Sequence, residues 1–120
     1  MAFKKERAML YRFKAKNTGD VVMLEPNGRQ VLEIMGKEPG PKGIVLAAQM
    51  PAAIAALEAA IVREEAEERE RQAEAERKAK AGEAVSINPP PGVTLRHRAL
   101  PLMQMMAFCH RQGDDIVWGV

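Results

Sequence analysis

Apolar residues in this chain fall into two blocks, Met9 to Val62 and Val93 to Val120. Between them, from Arg63 to Lys80, thirteen of eighteen residues are charged and no Leu, Ile, Val, Phe or Met occurs. The charged tract has nothing to contribute to a core, and neither apolar block alone offers enough surface to bury, so the two blocks must pack on each other. The pattern predicts one α+β domain built from residues 9–62 and 94–120. Residues 63–93 are inserted in it as a charged helix and Pro-rich connector, and residues 1–8 precede it as a disordered extension.

Within the first block, Met9, Tyr11, Phe13 and Ala15 alternate with Leu10, Arg12, Lys14 and Lys16, the period of a half-buried strand. Asn17, Thr18, Gly19 and Asp20 are turn formers and Val21 to Leu24 is a β-favouring run, so the pair predicts a hairpin. Pro26, Asn27 and Gly28 stop the second strand, and Asn27 is placed to cap a helix from Arg29 to Met35 with Val31, Leu32, Ile34 and Met35 on its core face. Gly36 sits where a left-handed C-terminal cap is wanted, and Glu38 to Gly43 reads as a rigid loop.

Pro51 is tolerated in the first turn of a helix, so a second helix is expected from about Met50, with Ile54, Leu57 and Ile61 on one stripe. Beyond Val62, Glu65 with Arg69, Glu67 with Arg71, Glu74 with Lys78 and Glu76 with Lys80 stand four apart, acid first, and carry the helix on as a bare rod. Gly82 ends it. Asn88, Pro89, Pro90, Pro91 and Gly92 form a stiff extended connector, and residues 83–92 are the best candidate for disorder. Thr94 can cap a third helix with the stripe Leu95, Ala99, Leu102, Met106 and Cys109, although Pro101 implies either a kink or a later start. Gly113 closes that helix, and Ile116 to Val120 predicts a short strand that joins the hairpin as a third.

Charge changes this picture little. The formal +2 is supplied entirely by Lys4, Lys5, Glu6 and Arg7, which leaves residues 9–120 neutral. The one cysteine, Cys109, excludes an intrachain disulfide and fits a reducing compartment. Charges recur through residues 1–20 and exclude a secretory signal, so the expected location is cytoplasmic. The one candidate membrane span, Ile44 to Val62, is rejected because it holds Gln49, Pro51 and Glu58 and is filled largely by Ala.

The segments MLYRFKAKNTGDVVMLEPNGRQVLEIMGKEPGPKGI, MPAAIAALEAAI, RHRALPLM and DIVWGV resemble a family of small uncharacterised proteobacterial proteins, a conserved domain of unknown function. The resemblance covers nearly all of residues 9–62 and 94–120 and carries no activity, ligand or catalytic residue with it. Members look as though they begin at the position of Met9, which implies that Met1 to Ala8 is an extension or an upstream start.

Four constellations invite chemistry. Met105, Met106, Cys109 and His110 lie at helical spacings that could offer soft ligands to a cuprous ion, although Met106 and Cys109 equally continue the core stripe. Asn27, Gly28 and Arg29 at a helix start could receive a small anionic ligand, the bland alternative being a capped helix with a solvated arginine. The GKEPGPKG loop, with Lys37 and Lys42, lacks the P-loop pattern. Arg12, Lys14, Lys16, Arg96 and Arg98 could meet nucleic acid, but only five aromatics exist and most are needed for packing.

His97 and His110 stand thirteen residues apart with no carboxylate at a fixed ligand spacing between them, and Ser86, the one serine, lies in the connector. No catalytic residue and no cofactor are implied. The expectation is a small, mostly antiparallel three-stranded sheet on three helices. Its role would be that of a non-enzymatic interaction or accessory protein whose partner is another protein or a second copy. The alternatives are an anion-binding module and, less favoured, a weak nucleic-acid binder.

Overall fold

Strand β1, Leu10–Ala15, buries Tyr11 and Phe13 and turns Leu10 and Arg12 outward, as its alternation requires. A computed structural model of the chain describes residues 10–82 and 94–119. The expectations of disorder at 1–8 and at 83–92 fall outside those residues. Strand β2, Thr18–Leu24, returns antiparallel to β1 with Leu10 opposite Leu24 and Arg12 opposite Val22. The turn is thereby tighter than the run of turn formers suggests, because β2 takes up Thr18, Gly19 and Asp20.

Helix α1, Glu25–Ile34, starts four residues earlier than the capping argument implies. Leu24 occupies the N-cap position without a side-chain cap, Pro26 sits in the first turn, and Asn27 lies inside the helix. Proline in a first turn removes an amide that would have had no partner in any case, so Pro26 begins this helix where it reads as a strand stop. Val31 and Leu32 are fully buried, and Gly36 closes the helix at φ 82°.

A strand absent from the sequence expectation follows. Gly43–Val45 forms β3, three residues long, so the sheet has four strands and not three. Its order is β2-β1-β4-β3, where β4 is Ile116–Trp118, and every pairing is antiparallel. The last strand is therefore an inner one, held between β1 and β3.

A 3-10 turn at Ala47–Gln49 leads into helix α2, Met50–Lys80. Its first three turns bury Met50, Ala53, Leu57 and Ile61. From Arg69 to Lys80 every residue but Ala75 is exposed, and Gly82 ends the run at φ 78°. At about 1.5 Å per residue, the helix is roughly 46 Å long.

Helix α3, Leu95–Gln112, runs unbroken through Pro101, which settles the choice between a kinked and a late start in favour of the full length. Thr94 caps it by accepting the His97 amide at 3.3 Å, and Gly113 at φ 74° ends it. Leu95, Ala99, Leu102, Met106 and Cys109 are all buried, on both sides of the proline, and that packing holds the helix together where one backbone bond is lost. Helices α1 and α3 lie against the sheet face that carries Tyr11, Phe13, Met23, Val45, Ile116 and Trp118, and α2 packs on α1 and α3. Tyr11 stacks on Phe13 with ring centroids 6.1 Å apart, and Phe13 meets Trp118 edge-on at 5.9 Å.

Candidate functional site

Each candidate constellation has a defined place in the structure. On α3 the sulfur atoms of Met105, Met106 and Cys109 are in the core, and burial, with a smaller contribution from Asp114, pushes the Cys109 thiol above its ordinary pKa. His110 is exposed, and its Nδ1 lies 3.0 Å from the Ala47 carbonyl, which fixes that nitrogen as the donor. The structure thus turns the imidazole away from the buried sulfurs. His97 lies thirteen residues away near the other end of α3, where Thr94 Oγ1 is 2.9 Å from its Nδ1. Thirteen residues of helix separate the two rings by about 20 Å, too far for one metal ion. Among the described residues no group of three or more His, Cys, Asp or Glu side chains is placed to hold one.

At the start of α1, Gly28 is buried, and a Cβ there would run into Cδ2 of Tyr11. Its residue type is thereby explained by the close approach of helix and strand. The Arg29 guanidinium donates to Glu25 Oε2 at 3.1 Å, one turn back, and this carboxylate holds the arginine above its ordinary pKa. The charge that an anion would use already faces a carboxylate of its own helix.

The loop between α1 and β3 is pinned from the core. Tyr11 Oη donates to the Pro39 carbonyl at 2.9 Å, Trp118 Nε1 donates to the Gly40 carbonyl at 3.0 Å, and Lys37 Nζ donates to Gln49 Oε1 at 2.7 Å. Two aromatic side chains and a lysine therefore hold the glycines and prolines in place. Gly43 and Gly119 complete the lock: a Cβ on Gly43 would enter the Trp118 ring, and one on Gly119, which sits at φ 78°, would strike the Pro41 carbonyl.

The base of α2 also belongs to the domain's contacts. Glu64 Oε1 accepts the amide of Leu95, the first residue of α3, at 3.1 Å. Arg96 donates from Nε and Nη2 to the two oxygens of Glu65, at 2.7 and 2.9 Å, and holds the Glu65 carboxyl below its ordinary range. Farther out, Glu68 pairs with Arg71 and Glu74 with Arg77, three apart and not at the four-residue spacing expected.

A group of exposed aliphatic side chains stands on the sheet. The face opposite the helices is uncovered by any described residue. It carries Leu10, Val22 and Leu24 at the β2 side, 53%, 44% and 60% exposed, and Ile44 with Val117 at the β3 side. Arg12 and Lys14 lie between the two apolar groups. Tyr11, Phe13 and Trp118 all point into the core, so no described aromatic ring stands on this basic face to stack on a base.

The outer edge of β2 adjoins a groove of about 470 Å³ lined by Asp20 to Leu24 on one side and by Asn27, His97, Arg98 and Pro101 on the other. Sequence reasoning did not reach this region. Its signal is the unbroken run Val21-Val22-Met23-Leu24, four apolar residues in a strand with only one face against the helices.

Among the described residues no helix is long and apolar enough to cross a membrane. No curated protein and no solved structure matches the chain. One family model does match, over residues 9–118, with a span that takes in β1, β4 and everything between them. The chain therefore belongs to the family described as Domain of unknown function (DUF1840).

Proposed function

We propose that this chain is a non-enzymatic interaction protein of the cytoplasm that engages a protein partner through the β2 side of its sheet. The observation that carries the reading is the exposed strip Leu10, Val22 and Leu24 beside a seven-residue edge strand. Large aliphatic side chains in a contiguous solvent-facing group mark association surfaces, and an edge strand offers unpaired backbone groups to a further strand. The buried sulfurs and the Arg29–Glu25 pair support this reading over a soft-metal site or an anion site, since each candidate group already has an occupation. The single cysteine supports the cytoplasmic location.

Site-specific photo-crosslinking in intact cells tests it. A photoreactive residue in place of Leu24 is expected to give one discrete protein adduct, whereas the same residue in place of Glu76 on the rod gives none. No adduct at position 24, or the same ladder of adducts at both positions, would remove the basis for the reading.

A further inference from the structure

The two edges of the sheet are built to opposite rules. The β3 edge is three residues long, follows Pro39, Pro41 and Lys42, and is tied down by the Trp118 and Tyr11 hydrogen bonds. Short length, proline and lysine are the devices that keep an edge from pairing. The β2 edge has none of them. It is seven residues long, contains no proline or lysine, and pairs with β1 in regular register from Val21 to Leu24. The single irregularity of that pairing lies between Phe13 and Ala15, toward the turn.

We infer that the β2 edge pairs antiparallel with the β2 edge of a second copy of this chain about Val22, joining two four-stranded sheets into one of eight. This rests on the interaction reading above and names the partner of that same surface. Two observations select a second copy. The edge strand carries only one ionisable residue, Asp20, which Arg12 of the same sheet engages at 3.3 Å and which a two-fold at Val22 sets opposite Leu24, so two identical strands meet with no like charges opposed. A two-fold axis there sets Val22 against Val22 and brings the two exposed strips side by side. Beneath the joined strands, Pro101 of α3 lines the groove along the edge.

Charge substitution at the axis gives a readout that a structural role would not move. Residues facing across an antiparallel pair have Cα atoms about 4.5–5.5 Å apart, so two lysines or two glutamates at position 22 oppose each other directly. Sedimentation velocity on the full chain is expected to show a dimer for wild type and monomers for Val22→Lys and Val22→Glu. An equimolar mixture of the two variants should recover the dimer, and unchanged far-UV circular dichroism should verify that each variant is folded.

A wild-type dimer that Val22→Lys leaves intact would overturn the proposal, because another surface would then be the interface. Wild type that stays monomeric at all concentrations also overturns it. If the photoreactive residue at position 24 nevertheless labels a different protein, the interaction reading survives while self-pairing falls; if it labels nothing, both fall.

Discussion

The two free edges of one sheet differ in what holds them. At β3, backbone, glycine and aromatic ring are fitted together: Trp118 lies over Gly43 and donates to the Gly40 carbonyl, and Gly119 leaves room for Pro41. At β2, exposed aliphatic side chains surround an edge that no described strand covers. The lesson is that a small sheet can spend its few large side chains on closing one border and leave the other available. Substitutions at the closed border should therefore act on stability, and those at the open one on association.

The largest effect is expected from Gly119→Ala. The left-handed backbone there costs an L-residue about 1–2 kcal/mol, and the collision with the Pro41 carbonyl adds roughly 1–3 kcal/mol of overpacking. Urea unfolding should show a large drop in midpoint; an unchanged midpoint would mean that the β3 border is not locked as described. Next is Trp118→Phe, which leaves the Gly40 carbonyl without its donor and should cost about 1–3 kcal/mol. The accompanying sign is faster amide exchange in β3 with little change in β2.

At the open border, Val22→Lys should alter the stability of the dilute, dissociated chain by no more than about 1 kcal/mol, because the side chain is 44% exposed and the one like charge opposite it, Arg12, is engaged by Asp20. A loss comparable to that of Trp118→Phe would erase the distinction between the borders.

The smallest effect concerns neither edge and so serves as a control. Arg96 holds the Glu65 carboxyl below its ordinary value, first by hydrogen bonding. The stability from this pair is complete above the usual carboxylate pKa of about 4.3 and is lost as pH falls through the lower value of the folded chain. Glu65→Gln should flatten that part of the acid limb in a pH-resolved melt while amide exchange at both edges stays as in wild type.

Much of the fold is legible in the sequence where periodicity is long. The alternation of Tyr11 and Phe13 gives β1, and the stripe from Leu95 to Cys109 gives α3 with its Thr94 cap. Strand β3 escapes because three residues after GPKG carry no period, and its existence depends on Val117 and Trp118, more than seventy residues later. The start of α1 escapes for a different reason. Pro26 obeys the same first-turn rule as Pro51, but the adjacent Asn27-Gly28 pair mimics a turn.

The candidate surface was less legible still. Leu10, Val22 and Leu24 sit in sequence among residues that do enter the core, and only the placement of α1 and α3 on the opposite face reveals them as uncovered. Likewise the partner of Glu65 is Arg96, thirty-one residues away, where local spacing points to Arg69.

The position of β4 has a consequence for synthesis. The strand made last among those described fills an inner place, and it alone joins β3 to the β1–β2 hairpin. While the ribosome is still building α3, the nascent chain can hold a hairpin and helices, but β1 has an unfilled side and β3 has no neighbour at all. Folding of this sheet is therefore completed by a three-residue keystone that arrives after every other described strand has left the exit tunnel, and until Ile116 to Trp118 emerge, the growing chain bares the inner side of β1 and both sides of β3 besides the β2 border that the finished fold leaves open.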